Sequence, residues 1–208
     1  MAKHLDLGSG TTPRNPYDHS EIYGIDIASI SKENFKNEKI VEIKKVDLSI
    51  SKIPYPDKFF DSISAFDFLE HIPRLIYLQK KNKPFAHYAF IELMNEIHRT
   101  LKKGGRFVAF IPYIHSIDTM FSDPTHVNYI ASGTHQYFCE PTLWAKSYGF
   151  NGRFKIIRYE SCTQNFEDLF PLLRKKEFLL KKKFNRLRRL HESPNVTKTH
   201  LLWEFEAV

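Results

Sequence analysis

His4-Leu-Asp-Leu-Gly-Ser-Gly10, followed by Tyr23-Gly-Ile-Asp26, is the stretch that decides the fold. His4 to Leu7 reads as a short buried strand, and Gly8-Ser9-Gly10 ends it. Glycine there lets the backbone turn tightly and lets a ligand come close. A second strand, Glu21 to Ile27, carries Asp26 at its end, 18 residues after Gly8. An acid in that place can accept both ribose hydroxyls of a nucleotide-like ligand. Pro13 occupies the place of the third glycine of the dinucleotide fingerprint, and no Lys-Ser/Thr pair follows as a P-loop would require. A ligand with adenosine but no pyrophosphate therefore fits better than NAD.

Outward from this turn, apolar runs alternate with helical patterns, the signature of an α/β domain. Ile40 to Val46 is a third strand ending at Asp47, and Phe60 to Phe66 a fourth ending at Asp67. Phe90, Leu93, Met94, Ile97 and Leu101 recur three and four apart, which predicts an amphipathic helix capped by Gly104-Gly105. Arg106 to Ile111 is the fifth strand, Pro141 to Tyr148 a helix closed by Gly149, and Phe154 to Tyr159 and Leu201 to Glu206 two later strands. In an open parallel sheet, ligands bind just outside the carboxyl ends of the strands. Gly8, Asp26, Asp47 and Asp67 are thus expected to meet at one site.

The chain has 208 residues, 42% hydrophobic and 26% charged, which suits one soluble domain over 1–208 and excludes disorder. No apolar run approaches the ~18–20 residues of a membrane span. Met1 to Leu7 lacks the pattern of a signal peptide, and Cys139 and Cys162 form no CxxC pair, so a cytoplasmic protein is expected. The net charge of +7 is concentrated. Segment 172–191 sets nine bases against the single acid Glu177, which leaves the rest of the chain near neutral. Leu169, Leu173, Leu180, Phe184, Leu187 and Leu190 recur there at near-helical spacing, and Pro171 places the start near Asp168. A helical insertion over about 166–192 is expected between the last two strands. Its basic face can be a solvated covering, a surface for nucleic acid or another anion, or a membrane-surface helix. Composition favours the first.

The stretch from Pro112 to Cys139 leaves the fifth strand on the ligand side and is long for a loop in a compact domain. Asp123-Pro-Thr-His126 is its densest polar cluster. His126, with Asp123, is the candidate catalytic group, because an imidazole exchanges its proton near neutral pH and can take one from a hydroxyl or amine. His115, Asp118, Asp123, His126 and His135 are all ligand types, but their spacing matches no recognised metal motif, and no metal is expected.

These motifs together resemble the class I S-adenosylmethionine-dependent methyltransferases. His4 to Gly10 looks like the family's first motif, Tyr23 to Asp26 like the second, and Val46-Asp47-Leu48 like the segment that contacts the adenine. Ile53 to Asp61 with Ser64 to His71 is similar to the fourth-strand motif, and Leu93 to Arg106 to the helix and turn that follow. The resemblance runs in order over residues 4 to about 111. It implies a doubly wound, Rossmann-like sheet of seven strands with the last antiparallel, and S-adenosylmethionine as cofactor. It implies cofactor contacts at Asp6, Gly8, Gly10, Asp26, Asp47, Leu48 and Asp67. Two departures stand out: no leading helix precedes the first strand, and Pro73 to Lys83 is longer than the family's usual loop. The sulfonium already activates the methyl, so the protein mainly aligns acceptor and donor. The expected acceptor is an oxygen or nitrogen of a small-molecule or saccharide-type metabolite. The alternatives are an RNA enzyme using Lys181, Lys182, Lys183, Arg186, Arg188 and Arg189, and a non-catalytic cofactor-binding adaptor.

Overall fold

Short apolar runs ending in glycine or aspartate become the parallel strands of one sheet. The computed structural model describes residues 1–80, 83–163, 170–174 and 198–208. Strands β1 (Lys3–Leu7), β2 (Glu21–Asp26), β3 (Ile40–Lys45) and β4 (Phe60–Phe66) come first. A hairpin of β5 (Ile76–Lys80) and β6 (Lys83–His87) leads into α1 (Ala89–Thr100) and β7 (Leu101–Pro112). The short α2 (Ile117–Phe121), β8 (Phe154–Cys162), the single turn α3 (Phe170–Leu173) and β9 (His200–Ala207) complete the described chain.

The sheet has seven strands in the order β3-β2-β1-β4-β7-β9-β8. The first five in that order run parallel, while β9 is antiparallel to both neighbours, β7 and β8. The chain winds outward from β1 to β3 and returns to β4 on the other side of β1. The strand order therefore reverses between β1 and β4, and the crevice beyond their carboxyl ends is where such sheets take ligands.

Strand β7 is buried almost continuously from Phe107 to Ile111, as a strand covered on both faces must be. One face packs on α1 through Phe90, Leu93, Met94 and Ile97, with Phe60, Phe107, Phe154 and Phe205 in the same core. The other face gathers Phe66, Val108, Phe110, Cys162 and Leu202 beneath Leu173, Phe170 and Tyr17. Among the described residues α1 is the only helix longer than five residues, and none is long and apolar enough to cross a membrane.

The structure corrects two local expectations. Gly104-Gly105 does not cap α1. The helix ends at Thr100, because the amides of Lys58 and Phe59 take the carbonyls of Arg99 and Thr100 at 2.9 and 2.8 Å. Leu101 already pairs with Phe60, and the register jumps to Ser62 and Arg106, so the glycines lie in a bulge where Gly104 has φ +77°. The helix read over 141–148 shrinks to a 3-10 turn at Trp144–Tyr148. Leu143 is left-handed (φ 50°), which breaks a continuous helix, although Gly149 does close the turn. The long stretch from Pro73 is largely the β5–β6 hairpin. Of the basic segment, only α3 and Arg174 are described, with Pro171 in the first turn. Lys181, Lys182, Lys183, Arg186, Arg188 and Arg189 lie outside the described residues.

Candidate functional site

The turn after β1 is built by the sheet itself. The amides of Gly8 and Ser9 both donate to the carbonyl of Ile25 on β2, at 2.9 and 3.1 Å. Gly8 and Gly10 have φ of +67° and +53°, a region costing L-residues about 1–2 kcal/mol. At Gly8 space is also short: a Cβ there would lie 2.6 Å from Cδ2 of Phe68. Gly8→Ala is therefore expected to destabilise the fold by more than ~1 kcal/mol, and to displace Phe68. A shifted denaturant midpoint with an unchanged slope would check it. A cleft of about 520 Å³ opens over the turn, lined by Gly8, Ser9, Gly10, Thr11, Arg14 and Phe170. This is within the ~300–1,000 Å³ typical of small-molecule sites.

The acids divide by role. Asp6 is fully buried, and its oxygens accept from Ser64 Oγ at 2.5 Å and from the Arg14 amide at 2.8 Å. Its side chain thus lies beneath the loop and shapes it. Burial raises its carboxyl to about 6 against those hydrogen bonds. Asp26 is half-buried at the end of β2 and accepts the Gly10 and Ala28 amides, both at 2.8 Å. A carboxylate has about four acceptor sites, so half its capacity remains for a ligand's hydroxyls. Asp47 accepts the amide and hydroxyl of Ser49 at 2.9 and 2.6 Å, and Leu48 beside it is buried in the core. Asp26 and Asp47 stand beyond the lining of the cleft over Gly8. Asp67 ends β4 in a left-handed conformation (φ 48°), and its Oδ1 lies 3.3 Å from His200 Nε2.

Just past Asp67 the structure assembles a cluster that no single motif announces. The amides of Val127 and Asn128 both donate to the carbonyl of Glu70 at 2.9 Å. Asn128 is fully buried, donates to the carbonyl of Leu69 at 3.1 Å, and accepts from Arg74 Nε at 2.8 Å. These bonds fasten loop 123–129 to the exit of β4, and His126 comes down on Glu70 and His71. One potential ligand atom from each of the three lies within 4.8 Å of the others. His126 Nε2 is 3.9 Å from Glu70 Oε1 and 3.9 Å from Asp123 Oδ2. The rings of His71 and His126 meet edge to face at 4.8 Å.

Glu70 is the residue that sequence reasoning missed. It has no exposed surface, and neither carboxylate oxygen accepts a hydrogen bond from another described residue. Burial pushes its carboxyl up to about 8, and the charges of Asp67 and Asp123 add to the effect. In the unfolded chain the group ionises near 4.5. The unfolded state therefore releases its proton first, and the folded state loses stability as pH rises from about 4.5 to about 8. Glu70→Gln is expected to raise the thermal midpoint, by an increment that grows across that window. Melting curves at pH 5 and pH 8 check it.

The remaining ligand-type residues of the loop stay apart from this cluster. His115 packs on Tyr113 at 4.7 Å, and His135 donates from Nδ1 to the carbonyl of Ser132 at 2.7 Å and lies on Tyr159. Asp118 sits in the first turn of α2.

A methyltransferase domain model matches residues 5–109. Solved structures of similar fold include the complex between the Haloferax volcanii Trm112 methyltransferase activator and a methyltransferase. That match has 12% identity, covers 99% of this chain and 82% of that one, and has a TM-score of 0.56. A SAM-dependent methyltransferase from Archaeoglobus fulgidus matches at 17% identity, 99% and 86% coverage, and TM-score 0.52. Geranyl diphosphate C-methyltransferase from Streptomyces coelicolor A3(2), in complex with Mg2+, geranyl diphosphate and S-adenosyl-L-homocysteine, matches at 13% identity, 100% and 73% coverage, and TM-score 0.54. At such identities the likeness speaks for the fold. No curated protein matches by sequence.

Proposed function

This chain belongs to the class I S-adenosylmethionine-dependent methyltransferase family, and from that premise we propose that it methylates an oxygen or nitrogen of a small-molecule acceptor, of the saccharide or similar polar metabolite class. The acceptor sits at the edge formed by Asp67 to His71 and Asp123 to His126. When bound, S-adenosylmethionine supplies an activated methyl, so the protein's work is alignment and proton handling.

One observation carries this reading. His126 donates from Nδ1 to the carbonyl of Met120 at 2.8 Å, which leaves the lone pair on Nε2. That nitrogen faces Glu70 and Asp123, beside the carboxyl end of β4, where a hydroxyl or amine can be held as it loses its proton. The cofactor side is one residue group away, because Phe68 packs over Gly8. Gly8 and Gly10 admit the ligand closely, Asp26 receives the ribose hydroxyls, Asp47 and Leu48 flank the adenine, and Asp6 holds the loop. Asp67 stands between the two sides.

Beyond Arg74 lies a second cleft, about 260 Å³, walled by Tyr88, Phe90, Tyr137 and Tyr148. The cleft over Gly8 is of small-molecule scale, and this second one lies just below that range. Incubation with methyl-labelled S-adenosylmethionine and fractionated extract tests the reading. Label is expected in a low-molecular-weight product whose new methyl is on oxygen or nitrogen. Label confined to RNA or protein would overturn it.

A further inference from the structure

We propose that Glu70, His71 and His126, with Asp123 at the open side, form a binding site for one divalent transition-metal ion beside the acceptor. The proposal rests on the reading of this edge as the acceptor side, and it specifies how an acceptor oxygen is made reactive there.

Both imidazoles are already set as metal-binding histidines are. His126 spends its Nδ1 proton on the carbonyl of Met120. Thr125 donates its hydroxyl to Asp123 Oδ1 at 2.6 Å and so accepts from His71 Nδ1 at 2.9 Å. Each ring is fixed by a bond at Nδ1 and leaves a lone pair at Nε2. That is how metal-binding histidines are oriented, with a carbonyl, carboxylate or other acceptor on the far nitrogen.

Glu70 points to a cation independently of the histidines. A fully buried carboxylate without hydrogen-bond donors is costly, and buried charges are ordinarily paired or coordinate metals. Arginine and lysine supply no partner to Glu70 among the described residues; what faces it is His126 Nε2. A cation between them satisfies the carboxylate and both nitrogens together. The spacing suits this. Donors about 2.0–2.2 Å from a common ion lie about 3–4.4 Å apart, so atoms within 4.8 Å need to close only slightly.

Donor chemistry selects the ion. Two imidazole nitrogens and one or two carboxylates suit Zn2+, Co2+, Mn2+ or Fe2+, whereas Mg2+ and Ca2+ prefer sites made of oxygen alone. An ion here lies where the acceptor binds, and a hydroxyl coordinated to it loses its proton far more readily than a free one.

The test uses Co2+ as probe, because its visible absorption reports nitrogen and oxygen ligation. Metal-free full-length protein is titrated by calorimetry and absorption. The wild type is expected to bind one Co2+ per chain with d–d bands and a raised thermal midpoint. Glu70→Gln and His126→Ala are expected to weaken binding by at least the ~10- to 100-fold that losing even an outer-shell partner costs. His135→Ala, outside the cluster, is expected to bind as the wild type does. Thermal transitions show that each variant is folded. A folded wild type that binds no Co2+, or binding equal in wild type, Glu70→Gln and His126→Ala, would overturn the site. A methyltransferase active in chelator with no Co2+ binding would sink the metal and spare the function. Co2+ binding without methyl transfer to any fraction would do the reverse.

Discussion

Replacing His126 by alanine is expected to lower methyl-transfer turnover by ~100- to 10,000-fold and to leave S-adenosylmethionine affinity unchanged. The imidazole stands on the acceptor side, 3.9 Å from both Glu70 and Asp123, with its tautomer set by the Met120 carbonyl. Its loss removes the only nitrogen lone pair that loop 123–129 directs at this edge, whether Nε2 takes the proton itself or holds an ion that does the equivalent work. The proposed cofactor contacts at Gly8, Gly10, Asp26 and Asp47 follow β1, β2 and β3, which His126 does not support. Calorimetry with the cofactor and single-turnover kinetics separate the two effects. Turnover within a few-fold of wild type would make His126 a loop-bonding residue.

Replacing Asp26 by alanine is expected to act in the opposite sense, through binding. Two charge-assisted hydrogen bonds to ribose hydroxyls are worth about 1.5–3 kcal/mol each, so the cofactor's Kd should rise ~100-fold or more. Part of the loss is indirect. The same carboxylate receives the amides of Gly10 and Ala28, and without it the turn after β1 loosens. A melting curve on the free protein measures that part, and calorimetry measures the whole. An unchanged Kd would remove Asp26 from the site.

These two residues differ in how far the sequence alone could take them. Asp26 is legible because a strand, a terminal acid and an upstream glycine turn are local signals whose spacing has one sensible reading. Strand β4 is read to the residue, since a continuous buried run from Ser62 to Phe66 follows Asp61 and stops at Asp67. His126 is legible as a candidate within a long polar loop, but its surroundings are not. They depend on amides of Val127 and Asn128 reaching Glu70 across more than fifty positions. Glu70 itself looks like any surface acid until that loop covers it. The Glu70-His71 pair, shortly after the strand-ending Asp67, is the one signal that pointed there. The β5–β6 hairpin hides for another reason. Ile76-Tyr-Leu-Gln-Lys lacks polar alternation, and Pro84 argues against a strand, yet a two-stranded ribbon has an open edge where proline is tolerated. The misplaced cap at Gly104 shows a third limit: α1 ends where β4's approach takes its last carbonyls, a tertiary event with no sequence mark.

The most direct test of the whole account follows one label through three proteins. Wild type, Asp26→Ala and His126→Ala are each given methyl-labelled S-adenosylmethionine and fractionated cell extract, with cofactor binding measured in parallel. The account predicts labelled small-molecule product from the wild type alone, with binding lost in Asp26→Ala and retained in His126→Ala. A wild type that binds the cofactor tightly and labels nothing, or a His126→Ala variant that labels the same product at the same rate, would contradict it.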